Sequence, residues 1–286
     1  MKNRIGVIAM MKPEGGTLKQ VAAHKLDTCQ LVSWNPKNWT DQMAEQVKAE
    51  IKESGIKPTA FWAGWAGPCV WDLLSGPSTL GLVPPAFRFQ RIQSMLAAGD
   101  FAKKIGLPAV ITHLGFIPEW PGDPDFAGLV DAVKYIGRYY KRLGLEFWFE
   151  TGQETPVTML RLIKTTGLDN LGINLDPANL ILYGKANPVD ALDVFGQYVK
   201  NIHAKDAFYP TDPMHLGEEV KVGTGKVDFP RFVKRLGEIG FKGEFIIERE
   251  ISGDQQIKDI NQTVKYLSKL FAATPGKGEK KAKATK

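Results

Sequence analysis

LEFWFETGQETPVTMLRLIKTTGLDNLGINLD, residues 145–176, decides the fold. Phe147, Trp148 and Phe149 are consecutive aromatics, the pattern of a strand buried on both faces. Gly152 and a polar turn follow, then a helical stretch over 155–165, then a second apolar strand over 171–176. This is one β-then-α unit and the start of the next. Glu150 ends the first strand. A carboxylate at the mouth of a buried strand is costly unless something compensates it.

The same alternation runs along the chain. Further strands read at 4–9, 28–34, 57–63, 108–113, 199–204 and 243–248. Helical patterns lie between them, around 17–25, 40–55, 88–105, 126–143, 188–197, 228–238 and 256–271. In the 40–55 stretch, Thr40 suits the N-cap, Met43, Val47 and Ile51 recur every fourth residue, and Gly55 ends the helix. Eight such units predict a single (β/α)8 TIM barrel over residues 1–273. The rival is a doubly wound open sheet. It usually carries a glycine-rich phosphate loop after its first strand, and "AMMKPEGGTLK" is not one.

The chain of 286 residues is 43% hydrophobic and 24% charged, as in a soluble globular protein. No apolar run approaches the roughly 20 residues of a membrane span. The N-terminus reads as a first strand, because Lys12 and Pro13 follow its short apolar run where a leader would have a cleavage site. Cys29 and Cys69 suggest neither a disulfide framework nor a metal knuckle, so a cytoplasmic protein is expected. The net charge of +6 resides mostly in the tail, where residues 276–286 hold five lysines and one glutamate. A body left near +2 gives no footprint for nucleic acid. Residues 274–286 are expected to form a disordered Lys-rich tail.

Active sites of parallel barrels form at the C-terminal strand ends. Strands 4 to 8 end in His113, Glu150, Asp176, His203 and Glu248. Asn174 and Asn201 share the phase of Asp176 and His203, and polar residues there suit a barrel interior. Three carboxylates converging at one height would raise one another's pKa. One divalent cation resolves this, held by Glu150, Asp176, His203 and Glu248. Oxygen ligands plus one imidazole suit Mn²⁺ or Mg²⁺ first, with Co²⁺ and Zn²⁺ as alternatives. Taken singly, each residue also fits a hydrogen-bonded strand end. The joint pattern points to the metal.

"FETGQET", "GINLDPANL", "NIHAKDA" and "EFIIEREISG" resemble motifs of the xylose isomerase-like TIM-barrel superfamily, in its sugar isomerase/epimerase branch with the ketose 3-epimerases. The resemblance covers about residues 4–271. It implies one divalent ion on the four residues above, with Glu150 and Glu248 doubling as catalytic acid and base. Epimerases of this type often carry His three positions after the metal Asp; here Asn179 stands there, as a substrate-binding candidate. Endonuclease IV enzymes of the same superfamily need a three-zinc cluster rich in histidine, and this chain has only four histidines.

Six of the seven tryptophans follow strands 2–4, where their faces suit a sugar's C–H surface, a loop anchor or a homo-oligomer interface equally well. Trp62 and Trp120 are the substrate-facing candidates, with His113, Glu119 and Lys205 as polar partners. The expected reaction is sugar isomerisation or epimerisation through a metal-stabilised enediolate. The alternative is a lyase cleaving 3-keto-glycosides by β-elimination. A sugar-binding protein without turnover is disfavoured by two opposed carboxylates.

Overall fold

The computed structural model describes residues 3–274. Except for Thr274, the expected tail lies outside the described residues. Eight parallel strands close into a barrel. They are β1 (Ile5–Met10), β2 (Thr28–Ser33), β3 (Lys57–Ala63), β4 (Ala109–His113), β5 (Glu146–Glu150), β6 (Leu171–Leu175), β7 (Val199–Ala204) and, last in the chain, β10 (Phe245–Ile247). Between β7 and β10 lies an unforeseen antiparallel hairpin, β8 (Asp206–Phe208) with β9 (Glu218–Val220).

The surrounding helices are α1 (Lys19–Ala23), α2 (Asp41–Ser54), α3 (Gly76–Thr79), α4 (Pro85–Ile105), α5 (Pro124–Leu143), α6 (Pro156–Thr166), α7 (Pro177–Leu182), α8 (Pro188–Phe195), α9 (Phe229–Ile239) and α10 (Asp254–Ala273). Thr40 caps α2 by accepting from the Met43 amide, and Gly55 closes it in a left-handed conformation. The short α3 and α7 escaped the sequence reading. Among the described residues, no helix is long and apolar enough to cross a membrane.

Register sets the height of the side chains. Glu150 pairs with Asn174, Asn174 with Asn201, and His203 with Ile246. Strands in a barrel tilt, so residues at one height are staggered along the register. Asp176 and Glu248 each lie two residues past the partner of their neighbour, which raises them level with Glu150 and His203.

The loop after β3 is held by Arg91 on α4, which is fully buried. Its guanidinium donates to the carbonyls of Ala66 (3.2 Å), Gly81 (2.6 Å) and Pro68 (2.7 Å) and lies over the Trp65 and Phe87 rings. Gly81 must be glycine. Its φ is +67°, and a Cβ there would lie 2.0 Å from the carbonyl carbon of Leu114. This contact pins the tryptophan-bearing loop against the end of β4.

Candidate metal centre

Asp176 is the N-cap of α7, and its Oδ1 accepts from the Asn179 amide at 2.9 Å. The cap leaves Oδ2 fully buried without a hydrogen bond, turned toward Lys205 Nζ (3.7 Å) and His203 Nδ1 (3.9 Å). His203 Nδ1 also lies 3.0 Å from Glu150 Oε1 and 3.1 Å from Glu248 Oε2. Its other nitrogen, Nε2, is 2.7 Å from the Gln30 amide oxygen. An amide oxygen only accepts, so Nε2 carries a proton and Nδ1 is the nitrogen turned to the carboxylates. Ligand atoms of Glu150, Asp176, His203 and Glu248 all lie within 4.8 Å of one another.

Electrostatics fit a cation at that point. Burial would raise the Glu150 pKa, but His203 and His113 outweigh it and hold the carboxyl well below its ordinary range. Burial also acts upward on Glu248, and Lys205 and His203 override it to about 2. Asp176 goes the other way. Burial, reinforced by Glu248 and Glu150, pushes it well above the ordinary value, despite Lys205. Burial disfavours charged His203, yet Glu150 and Glu248 hold its pKa well up. Both shifts favour the protonated forms of Asp176 and His203. A divalent ion at this point would displace such protons. The orphaned Asp176 Oδ2 and the aimed Nδ1 are the donors such an ion needs.

Lys205 is almost fully buried. It pairs with Glu250 (2.8 Å) and Glu248 (3.5 Å) and reaches Asn179 Oδ1 at 3.4 Å. Burial opposes its charge, but Glu248, Glu250 and Asp176 hold its pKa well above the usual value. Asn179 Nδ2 is 3.4 Å from Glu150 Oε1, and His113 Nε2 is 3.5 Å from the same oxygen. Trp62 lies among the site residues too, with its indole N–H donated to Glu150 Oε2. A cavity of about 790 Å³ opens above these groups.

Two expected residues are elsewhere. Trp120 is 68% exposed and is not among the residues lining the cavity. Glu119 turns its carboxylate to the Thr155 and Thr158 hydroxyls at the start of α6, and the Arg161 guanidinium donates to its carbonyl. The 114–123 loop therefore caps a helix and does not wall the site. Trp39 also leaves the mouth, packing on Phe61 beneath α4. Trp34, Trp62, Trp65 and Trp71 form the cluster that remains. Gln30 went unnoticed in the sequence. Its signal was a lone amide inside the apolar run "TCQLVS".

A family model described as "Xylose isomerase-like TIM barrel" matches residues 18–270. The chain belongs to the xylose isomerase-like TIM barrel family. Its fold matches a xylose isomerase domain protein from Planctomyces limnophilus, 34% identical, with a TM-score of 0.87 over 94% of this chain and 98% of that one. A D-tagatose 3-epimerase-like protein shares the fold at 18% identity, with a TM-score of 0.72 over 94% and 97%. An inosose dehydratase of Lacticaseibacillus casei is 25% identical over 147 residues, 45% of this chain and 48% of that one. Alignments to curated relatives span roughly half of those proteins, from 44% to 60% of their length.

Proposed function

We propose that this xylose isomerase-like barrel is a divalent-metal-dependent sugar isomerase or epimerase, with Mn²⁺ on Glu150, Asp176, His203 and Glu248. The carrying observation is that Glu150 and Glu248 converge on His203 Nδ1 from two strand ends, within 3.1 Å. When bound, the ion would polarise a sugar carbonyl and acidify the neighbouring C–H. The chain's own groups move the protons. Glu248 is the more open of the two, at 19% side-chain exposure against 3% for Glu150. It removes the proton from the carbon that faces the cavity. Glu150, held by Trp62 and Asn179, returns from the other side a proton that it takes up from solvent, while Glu248 releases its own to solvent. Lys205 supplies positive charge beside the oxygen on which negative charge develops. Asn179 and His113 orient hydroxyls. Return to the same carbon is epimerisation, and return to its neighbour is isomerisation.

A second reading is β-elimination from a 3-keto-glycoside, in which the same enediolate expels the C1 substituent. The kinship with an inosose dehydratase and the large cavity favour it as the alternative. The test is NMR in D₂O with Mn²⁺ and a panel of ketoses and 3-keto-glycosides. Deuterium entering the sugar is the expected result, aglycone release marks elimination, and neither occurring under any metal would overturn both.

A further inference from the structure

The cavity is continuous from Glu150 and Glu248 over the rim of β1 and β10 to a region between α1 and α10. Here α1 has only five residues, so the helix layer is thin. The wall of this second lobe is Ile8, Met10, Ala23, Ile251, Ile257 and Ile260. Met10 is 41% and Ile257 50% exposed, large apolar surfaces turned to water inside a cavity.

Polar groups of this lobe are already engaged. Gln20 donates to the Met10 carbonyl, and Gln256 to that of Arg249. His24 Nδ1 is 2.9 Å from Asn261 Oδ1. Arg249 is held by Glu219 and Asp259. The other lining lysine or arginine among the described residues, Lys205, is held by Glu250 and Glu248. Neither cation is free to meet a phosphate or a carboxylate.

We infer that the substrate is a keto-glycoside with an uncharged, apolar aglycone, the sugar at the Glu150–Glu248 end and the aglycone between α1 and α10. The inference rests on the acid–base reading for the sugar end. The apolar lobe accounts for cavity space that a free sugar, polar on nearly every carbon, would leave in contact with bare isoleucine and methionine.

The test is a tryptophan-fluorescence titration of the full chain with Mn²⁺, using methyl and n-hexyl β-D-glucoside as probes. Each methylene buried tightens binding by roughly fourfold, so burying only half of the five extra methylenes should make the hexyl compound bind about thirtyfold tighter. Ile257→Asp and, separately, Met10→Asp should bring the hexyl affinity down to that of the methyl compound. Equal affinities in the parent chain overturn the inference. So does a hexyl preference that survives both substitutions. Sedimentation in parallel covers the remaining occupant: an Ile257→Asp chain that turns from dimer to monomer while keeping its hexyl affinity overturns the inference in favour of a second copy. Hexyl preference without deuterium exchange into any sugar supports the apolar subsite and overturns the acid–base reading. Exchange without hexyl preference overturns the subsite alone.

Discussion

His203 and Gln30 face each other across the floor of the site, Nε2 to Oε1 at 2.7 Å, although 173 residues separate them in sequence. Gln30 in turn donates to Asn174 Oδ1 at 3.3 Å, so the imidazole rests on a fully buried amide relay. Such a partner fixes both the tautomer and the ring orientation of a metal-binding histidine.

Replacing that amide should therefore weaken metal binding. Gln30→Leu is expected to lower Mn²⁺ affinity by roughly 10–100-fold, while Gln30→Glu, which still accepts from Nε2, retains most of it. Calorimetric titration of Mn²⁺ reads this without any substrate. Unchanged affinity in the leucine variant would remove Gln30 from the centre.

Glu150→Gln and Glu248→Gln should both keep a ligating oxygen and lose about 10²–10⁴-fold in turnover, the worth of a positioned general base. Their deuterium patterns should differ, each variant losing exchange from one epimer and retaining it slowly from the other. Asp176→Asn should lower metal affinity with no such asymmetry. Equal loss from both epimers in both glutamine variants, at saturating metal, would sink the two-base model.

Glu154 is buried, one of its oxygens lacks a partner, and burial raises its pKa from 4.5 to about 7. The folded state thus binds this proton more tightly than the unfolded chain does. Stability must fall as pH rises from 4.5 to 7, by about 3 kcal/mol in total for this group. Glu154→Gln should remove that slope. Melting curves of the two chains should coincide below pH 4.5 and separate above pH 7, the variant melting higher. Parallel curves at all pH values would show that Glu154 keeps its ordinary pKa.

Arg91→Met keeps the bulk but leaves three buried carbonyls, of Ala66, Gly81 and Pro68, without their donor. A loss of about 3 kcal/mol or more in urea unfolding is expected, since each buried acceptor left unpaired costs about 1–3 kcal/mol. The tryptophan spectrum should shift as well, because Trp65 stacks on the guanidinium. A variant as stable as the parent would mean that the loop holds itself.

Much of this was legible in the sequence because it is written in local periods. The eight barrel strands show as apolar runs, and Glu150, Asp176, His203 and Glu248 show because ionisable residues are out of place at such ends. Contacts between distant segments leave no local trace. Nothing around Gln30 points to His203, and nothing in the helix pattern around Arg91 distinguishes it from a solvated arginine. Glu119 and Trp120 show the converse. Their closeness to His113 in sequence suggested the cavity, but the hydroxyls of Thr155 and Thr158 draw that loop to the start of α6.

The hairpin β8–β9 follows Lys205 directly, and the segment returns to the barrel at a single carboxylate. Asp206 accepts from the amides of Ala207, Gly223, Gly225 and Val227. Four donors from both ends of the excursion meet on one buried side chain, so residues 208–222 form a closed module with its own clasp. A change of length within 208–222 would therefore leave His203 and Lys205 in place. The clasp anchors the chain on either side of the hairpin whatever the hairpin's length.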